Sequence, residues 1–377
     1  MTSTETTTSS WTANDRDPAW TCPAPAPEAL EFHRQLDGYA PTALVELPAL
    51  AEELGVAAVF AKDESTRLGL PAFKALGASW AVHCALEAVG NGTEHAAGDE
   101  DGRAASGEVV TATDGNHGRA VAAFARRAGR NARIFVPAGA VHPNAIVAIR
   151  DEGAEVAEVA GSYDEVVAAA AEYADGSDGV LVQDTAWDGY EEVPGWIVEG
   201  YSTLFREVDE QLQDAGHRGA DLVLVPTGVG SLLQAAIAHY RSETSTGSTA
   251  VVSVEPENAA CVGPSLDAGQ PISVETGQTI MAGLNCGTPS SLAWPFIRDG
   301  LDAAATVSEQ DTIDAAHRLA ELGVTAGPCG AAALAGARAV LLGDGAPSRR
   351  RHLGLTEDST LVLTITEGSE ANPVPSA

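Results

Sequence analysis

One residue that could do covalent chemistry is Lys74, in the stretch GLPAFKALGASWAV (residues 69–82). The sequence has only one other lysine, Lys62, although it has 21 lysine and arginine residues in all. A lysine amine can condense with an aldehyde or ketone, whereas an arginine guanidinium keeps its proton and cannot. The neighbours of Lys74 are Phe73 and the small or apolar residues 75–78, so Lys74 does not belong to a charged helix face. An ordinary solvated lysine at a helix edge is the alternative interpretation.

A second group of candidates lies in TATDGNHGRAVA, residues 111–122, where a predicted strand turns into a predicted helix. Gly115 and Gly118 allow close approach of the backbone to a flat ring. Asn116 can donate a hydrogen bond from its amide, and Asp114 places a carboxylate at a helix N-terminus. A simple capped turn uses the same residue types, so both interpretations remain open.

The stretch VPTGVGSLL, residues 225–233, has the composition of a phosphate-binding turn. A predicted strand ends there and a predicted helix begins, and bare backbone amides at the positive end of a helix dipole favour an anion. Leu233 occupies the third glycine position of the dinucleotide-binding pattern, which disfavours NAD. A plain strand-to-helix turn is the alternative. The residues of the candidate turn are Gly228, Val229, Gly230 and Ser231.

A last candidate is Cys329, in TAGPCGAAALAG, residues 325–336. Its thiol follows a Gly-Pro pair and begins an alanine-rich predicted helix, from where it could hydrogen-bond a ring nitrogen. A buried structural thiol in a helix of small residues is an equally good interpretation.

The composition argues against several classes of partner. Acidic residues outnumber basic residues 53 to 21, and the formal net charge is −32. Nucleic acids and anionic membrane surfaces bind basic patches, so we expect neither as a partner. No apolar run approaches the roughly 18 residues of a membrane span, and the N-terminus lacks the pattern of a signal peptide. The five cysteines form no CxxC pair, which favours reduced thiols in the cytoplasm over disulfides or a metal site.

Strands and helices are predicted to alternate along most of the chain. The apolar runs AAVFAKD, NARIFVPAG and ADLVLVPTG are separated by alanine-rich runs such as SYDEVVAAAAEYADG. This alternation indicates βαβ units and parallel sheets that helices cover on both faces. The sequence therefore predicts an α/β fold.

The order and spacing of these motifs resemble those of the fold-type II pyridoxal-phosphate enzymes, the group of tryptophan synthase β and the serine–threonine dehydratases. Within that group the chain is most similar to the diaminopropionate ammonia-lyase family. The segments QDTAW with the following P-x-W-I, and MAGLNCG with the following AW, distinguish this family from general dehydratases. The matching stretches span residues 65–368 and are STRLGLPAFKALGASWA, TATDGNHGRAVA, VQDTAWDGYEEVPGWIVEGYSTLFRE, PTGVGSLLQA, TIMAGLNCGTPSSLAWPFIRDG and ITEG.

The resemblance implies two open, three-layer α/β domains of parallel sheet, with the cofactor in the cleft between them. We expect a large cofactor-binding domain to comprise residues 29–82 and 191–370, and a small domain to comprise residues 83–190. Residues 1–28 are expected to form a flexible arm and residues 371–377 a flexible tail.

The resemblance also implies roles for individual residues. Lys74 is expected to bind the aldehyde of pyridoxal 5'-phosphate as a Schiff base, with Phe73 beside the cofactor and Asn116 hydrogen-bonded to the ring oxygen. The turn of residues 228–231 is expected to bind the phosphate. Cys329 stands where the family usually has a serine facing the pyridine nitrogen, and a thiol is a weaker hydrogen-bond partner.

The reaction that the resemblance implies is the α,β-elimination of 2,3-diaminopropionate to pyruvate and ammonia. Lys74 and Asp114 are expected to act as bases on opposite faces of the substrate, which would explain acceptance of both the D and the L isomer. Asp184, the acid of QDTAW, is expected near the substrate, and a carboxylate such as Asp114 or Asp184 can hold the leaving amine as ammonium. Because the family is commonly dimeric, we expect a homodimer that acts on a small amino acid.

Three alternatives remain open. A serine or threonine dehydratase, or a β-replacement enzyme, would share the fold, but the acids in D-G-N-H-G and Q-D-T-A-W argue against both. A protein that binds the cofactor without catalysis is disfavoured, because every position that is expected to act carries a competent residue. An NAD-binding protein is disfavoured by Leu233.

Overall fold

The computed structural model describes residues 11–92, 107–113, 115–245 and 247–375. These residues form two compact units. The first unit takes the described residues up to Ala26, the range Ala40–Ala72 and the described residues from Leu204 onward. The second unit takes Pro27–Tyr39 and the described residues of Phe73–Thr203.

Eleven strands lie in two sheets within the described residues, and in each sheet neighbouring strands are mostly parallel. The strands are β1 (Trp11–Ala13), β2 (Leu44–Glu46), β3 (Ala58–Asp63), β4 (Val109–Ala112), β5 (Ala132–Pro137), β6 (Glu155–Val159), β7 (Val180–Leu181), β8 (Leu222–Pro226), β9 (Ala250–Pro256), β10 (Ala303–Val307) and β11 (Thr360–Ile365).

The helices of the described residues lie between these strands. They are α1 (Glu28–Gln35), α2 (Pro48–Leu54), α3 (Lys74–Gly92), α4 (Asn116–Arg127), α5 (Pro143–Asp151), α6 (Tyr163–Gly176), α7 (Glu192–Asp214), α8 (Ser231–Tyr240), α9 (Val262–Ala268), α10 (Trp294–Gly300), α11 (Glu309–Glu321), α12 (Pro328–Leu341) and α13 (Ala346–His352). None of the helices in this part of the chain combines the length and the apolar character needed to cross a bilayer.

The first unit is built on a seven-stranded sheet in the order β1-β10-β9-β8-β11-β3-β2. The five inner strands are parallel, and only the edge strands β1 and β2 pair antiparallel. Strands β8, β9 and β11 are buried along their whole length, which is why they are almost continuously apolar rather than alternating. Helix α12 packs on four of the strands, because its alanines and glycines allow close approach to the sheet.

The second unit is built on a four-stranded parallel sheet in the order β6-β5-β4-β7. Helix α6 packs on β4 and β5, and α3 packs against α4. Helix α6 begins with a capping box in which Ser162 and Glu165 each hydrogen-bond the other's backbone amide. Together the two units confirm the predicted α/β class with two open parallel sheets.

The second unit differs in extent from the predicted small domain of residues 83–190, because this unit also includes Pro27–Tyr39, the start of α3 and the first half of α7. The two helices interlock through glycines. A Cβ built on Gly77 would lie 2.5 Å from Cε1 of Tyr201, and one built on Gly200 would lie 2.6 Å from the carbonyl oxygen of Leu76. Only glycine permits this approach, so the first turns of α3 cluster with the first half of α7 in one unit.

The described part of the predicted N-terminal arm is ordered by pairing. Strand β1 pairs antiparallel with β10, and the Cys22 amide donates a hydrogen bond to the carbonyl oxygen of Arg241. Residues 1–10 of the predicted arm lie outside the described residues. In the predicted tail, the Asn372 side chain donates to the carbonyl oxygen of Ile280 and Val374 packs on the core, whereas residues 376–377 lie outside the described residues. The correction has a simple cause: both segments find partners distant in sequence.

A buried ionic cluster lies next to β3 in the first unit. Lys62 donates from Nζ to Oε2 of Glu207 at 2.6 Å, and Arg67 donates to both oxygens of Glu207 and to both oxygens of Glu64. All four side chains are almost fully buried. Burial alone would raise the pKa of Glu207, but the hydrogen bonds and charges of Arg67 and Lys62 lower it. Buried charges of this kind are tolerated only when each one is paired.

We expect Glu207→Gln to destabilise the first unit by about 3–5 kcal/mol, because it leaves two buried cations with a single carboxylate. Urea unfolding followed by circular dichroism measures the change. The control is Glu210→Gln on the exposed side of the same helix, which should cost less than about 1 kcal/mol. Equal losses in both variants would contradict a structural role for the cluster.

Candidate active site

Lys74 is the first residue of α3 in the second unit, and its amine is paired with a carboxylate. Its Nζ donates to Oδ2 of Asp184 at 2.6 Å, and the two side chains are 21% and 10% exposed. Phe73 precedes it, with the ring centroid 5.5 Å from Nζ and 4.7 Å from the ring of Tyr201. The helix therefore presents the amine from an apolar surface and not from a charged helix face, as the neighbouring residues predict.

Asp184 lies just beyond β7, in the segment that follows the carboxyl end of the strand. Its Oδ1 accepts from the side-chain amide of Gln183 at 3.2 Å, while Oδ2 accepts from Lys74. Burial would raise the pKa of Asp184, but the neighbouring His117 and Lys74 and the hydrogen bond from Lys74 lower it to about 2. Asp184 is therefore an anion at neutral pH.

His117, in the first turn of α4, completes this group. Its Nε2 lies 2.9 Å from the carbonyl oxygen of Val182 and its Nδ1 lies 3.8 Å from Oδ2 of Asp184. Burial lowers the pKa of His117 and the charge of Lys74 lowers it further, although Asp184 and the Val182 carbonyl act in the opposite direction. The ring is therefore neutral, with the proton on Nε2, and Nδ1 has no hydrogen-bond partner among the described residues.

The turn before α4 holds Asn116 at the helix start. Oγ1 of Thr113 accepts from the backbone amides of Gly115 and Gly118, which fixes the turn from inside. Asn116 is the first residue of α4, so its side chain belongs to the first turn of the helix. Asp114, the predicted second base, lies outside the described residues.

Tyr201 and His117 were not predicted from the sequence, although both lie beside Lys74. Tyr201 is fully buried on α7, and burial raises the pKa of its hydroxyl, so that the hydroxyl keeps its proton. The nearby amine of Lys74 acts in the opposite direction and lowers the pKa of the hydroxyl. The signal that could have revealed Tyr201 is Gly77, one helical turn after Lys74, because only glycine leaves room for the ring.

The predicted phosphate turn lies in the first unit, between β8 and α8. Gly230 is left-handed, with φ +99°, and no side chain caps the amides at the start of α8. A Cβ built on Gly228 would lie 3.0 Å from the carbonyl oxygen of Gly283 and 3.1 Å from Sγ of Cys286, so the backbone is closely surrounded. The carbonyl of Val229 accepts from the amide of Ser290. The turn therefore places backbone amides at a helix start, where the helix dipole favours an anion.

Cys329 also lies in the first unit, at the second residue of α12, and it is buried. Its backbone amide donates to Oε1 of Glu367 at 3.1 Å, and a Cβ built on Gly283 would lie 3.5 Å from its Sγ. Gly283 belongs to the segment that surrounds the phosphate turn, so the first unit brings this segment, the turn and the thiol together. Glu367, in the ITEG stretch, is a further buried polar residue of this group.

The predicted site residues thus form two groups, each within its own unit. Lys74, Phe73, Asn116 and Asp184 belong to the second unit, together with His117 and Tyr201. Residues 228–231 and Cys329 belong to the first unit.

Comparison with known proteins gives the class of this enzyme. The family described as pyridoxal-phosphate dependent enzymes matches residues 35–356. A diaminopropionate ammonia-lyase of Salmonella typhimurium is 38% identical over 300 residues, which cover 76% of this chain and 73% of the relative. One of Escherichia coli is 35% identical over 360 residues, which cover 90% of this chain and 87% of the relative.

A solved structure agrees with these relatives. Diaminopropionate ammonia lyase from Escherichia coli, in complex with an aminoacrylate-PLP azomethine reaction intermediate, has a TM-score of 0.83 and 31% identity, and the match covers 96% of this chain and 94% of that chain. The family match, the relatives and this structure together show a pyridoxal-phosphate-dependent lyase. The chain belongs to the diaminopropionate ammonia-lyase family, which confirms the resemblance stated above.

Pyridoxal phosphate is therefore the cofactor, and the observed residues fit it. The amine of Lys74 has the chemistry to bind an aldehyde, and the buried Nδ1 of His117, which has no hydrogen-bond partner among the described residues, is a polar atom that a ligand can contact. The left-handed Gly230 and the uncapped amides before Ser231 form a cradle that a side chain at position 230 would crowd.

We expect Gly230→Ala to weaken cofactor binding about tenfold or more, because a Cβ there would lie 3.1 Å from Ala293 and from Ile297. The left-handed backbone adds about 1–2 kcal/mol of strain. Fluorescence titration of the cofactor-free protein with pyridoxal phosphate measures the affinity. The control is Gly269→Ala, which has a similar left-handed backbone but nothing within 4 Å, and which should leave the affinity unchanged. Unaltered affinity in Gly230→Ala would contradict the assignment of residues 228–231 to phosphate binding.

Proposed function

We propose that the enzyme eliminates ammonia from 2,3-diaminopropionate, with pyruvate and a second ammonia as the final products. The observation that carries the proposal is the buried carboxylate of Asp184, 2.6 Å from the Lys74 amine. An enzyme that expels an amine must bind a cation, and a permanently ionised carboxylate next to the reacting amine is suited to that. The names of the relatives from Salmonella typhimurium and Escherichia coli support the same substrate.

Lys74 has two proposed tasks. When bound, pyridoxal phosphate supplies an aldehyde that reacts with amines and a ring that withdraws electrons from the Cα–H bond. Lys74 holds the aldehyde in the resting enzyme, and its free amine then takes the Cα proton of the L isomer. The ring of Phe73, with its centroid 5.5 Å from Nζ and packed on Tyr201, covers part of the surroundings of the amine.

Asp184 is proposed to bind the departing amine. With a pKa of about 2, its carboxylate stays ionised and can hold an ammonium ion through Oδ2 when Lys74 is engaged elsewhere. The neutral His117 offers its Nδ1 lone pair on the same side as Oδ2. An enzyme that expels hydroxide has less need of such an anion, because the leaving group is not a cation.

Asp114 is proposed as the second base, which takes the Cα proton of the D isomer from the face opposite Lys74. The support for this role is the D-G-N-H-G motif, which matches the family, and the ordered turn on its two sides at Thr113 and Gly115. Two bases on opposite faces would let one site accept both isomers.

Further roles are proposed for the cofactor-binding residues. Asn116 would donate to the ring oxygen, and the backbone amides of residues 228–231 would bind the phosphate. Phe73 would pack beside the cofactor. Cys329 would face the pyridine nitrogen with a thiol, a weak donor that keeps this nitrogen largely unprotonated.

We further propose a cytoplasmic homodimer. All five cysteines are free thiols in the structure, which is the state expected where disulfides are kept reduced. The family that the chain resembles is commonly dimeric. Light scattering on the purified protein tests the assembly: the mass of two chains supports it and the mass of one chain removes it.

The activity is tested by incubating the purified enzyme with D- or L-2,3-diaminopropionate and measuring pyruvate and ammonia. We expect turnover of both isomers at a rate well above that of serine or threonine. Lys74→Ala should abolish the yellow chromophore and reduce turnover by several orders of magnitude, because no other residue supplies the amine. The matched control is Lys62→Arg, which removes the other lysine but keeps a buried cation. Faster turnover of serine than of diaminopropionate would contradict the proposal that diaminopropionate is the substrate.

Asp114→Asn should reduce kcat for the D isomer by about 100-fold or more, and change kcat for the L isomer only a little. The reason is that an amide cannot accept the Cα proton, whereas Lys74 is intact, and general-base catalysis contributes on the order of 100- to 10,000-fold. Steady-state kinetics with each pure isomer measure the ratio. Equal losses for both isomers would rule out the two-base arrangement while leaving the elimination reaction in place.

A further inference from the structure

A buried amide, Gln183, precedes Asp184 and makes four side-chain hydrogen bonds. Its side chain is fully buried in the second unit. Oε1 accepts from the backbone amide of Ala112 at 2.9 Å and from Oγ1 of Thr111 at 3.0 Å. Nε2 donates to Oδ1 of Asp184 at 3.2 Å and contacts the hydroxyl oxygen of Tyr163 at 3.1 Å. Gln183 thus connects the carboxyl end of β4 with the carboxylate that is paired with Lys74.

The orientation of this amide is fixed by chemistry. The backbone N–H of Ala112 can only donate, so the atom that faces it must be the oxygen of Gln183. The nitrogen must then face Asp184 and Tyr163. An ionised carboxylate can only accept, so Nε2 and Oδ1 form a complementary pair and the reverse orientation would set two acceptors against each other.

The main chain at this position is held as well. The backbone amide of Gln183 donates to the hydroxyl of Tyr190, and that hydroxyl donates to the carbonyl oxygen of Leu181. The ring of Tyr190 stacks on Trp187 at 4.3 Å between centroids. The residue before Asp184 is therefore fixed through both its backbone and its side chain.

We propose that Gln183 is a positioning residue, which holds one oxygen of Asp184 so that the other faces the reacting amine. This inference rests on the proposed function of Asp184. Gln183 donates to Oδ1 while Lys74 donates to Oδ2, so the hydrogen bond from Gln183 orients the carboxylate with Oδ2 toward the amine. The donated hydrogen bond also favours the ionised carboxylate, since a protonated one would accept it less well.

The sharpest test is Gln183→Glu, which keeps the shape of the side chain and changes one atom. The oxygen that replaces Nε2 can donate to Asp184 only when the new carboxyl is protonated. As the pH rises, the proton is lost and two carboxylates face each other. We expect kcat/KM relative to that of the unaltered enzyme to fall by about 10- to 100-fold between pH 5.5 and 9.5, the factor that corresponds to losing a charged hydrogen bond.

A second measurement does not depend on activity. The chain has only two lysines, so cofactor-free protein labelled with ¹³C and ¹⁵N in its lysine side chains gives two sets of NMR signals. The Lys74 signal should show one more titration step in Gln183→Glu than in the unaltered protein, because its carboxylate partner then shares a proton. The Lys62 signal should not change, since Lys62 lies in the separate ionic cluster.

The matched control is Gln211→Glu. Gln211 is also an amide that contacts a lysine, because its Oε1 accepts from Nζ of Lys62 at 2.8 Å. This variant should shift the Lys62 signal, leave the Lys74 signal unchanged and give a flat ratio of kcat/KM against pH. The control therefore distinguishes an effect that requires the new carboxyl beside Asp184 from an effect of adding a carboxyl beside any lysine.

The outcomes are distinct. A flat pH ratio and no added step in Gln183→Glu would overturn the positioning role. If Gln183→Glu does not fold, Gln183→Met is the deciding variant. An unaltered kcat/KM in that variant overturns the inference, whereas a lower kcat/KM with retained cofactor affinity supports it. Full activity of Asp184→Asn would instead overturn the proposed function of Asp184, whereas an inactive Asp184→Asn together with an unaffected Gln183→Glu overturns only the inference about Gln183.

Discussion

The ion pair between Lys74 and Asp184 is the constraint on which the candidate site depends. Two opposite charges in a largely buried position lose hydration, and their attraction offsets that loss only with good geometry and further hydrogen bonds. The 2.6 Å contact meets the first condition. The hydrogen bond that Gln183 donates to Oδ1 of Asp184 meets the second condition. His117 lies beside the pair, with Nδ1 3.8 Å from Oδ2 of Asp184, and the surrounding elements hold these groups in place.

The parallel sheets bring the functional groups to strand ends. In the second unit, the turn after β4 leads to Asn116, and the segment after β7 carries Asp184. In the first unit, the turn after β8 contains Gly230, and the segment after β11 contains Glu367. The carboxyl ends of parallel strands lie along one edge of each sheet, which is where α/β enzymes bind their ligands.

Much of the fold could be predicted because the sequence pattern is local. Buried parallel strands are continuous apolar runs, and alanine-rich runs between them form helices, so the α/β class follows from periodicity alone. Strand β1 could not be predicted in this way, because its pairing depends on β10, which lies far along the chain. The interlocking of α3 and α7 was missed for the same reason: Gly77 indicates that something approaches the helix closely, but it does not identify Tyr201 as the residue that does. Of the site, Lys74 was recognisable by its rarity, and Asp184 only by family resemblance. His117, Tyr201 and Gln183 are ordinary residue types whose roles depend on contacts that no local pattern records.

The central claim is that the amine of Lys74 is the group that carries the cofactor, and one measurement addresses it directly. Borohydride reduction of the holoenzyme makes the link between lysine and cofactor permanent, and mass spectrometry of the digested protein then locates it. With two lysines in the chain, the result is unambiguous. The account predicts a single pyridoxyl adduct on the peptide that contains Lys74 and none on the peptide that contains Lys62. An unlabelled Lys74 peptide would contradict it.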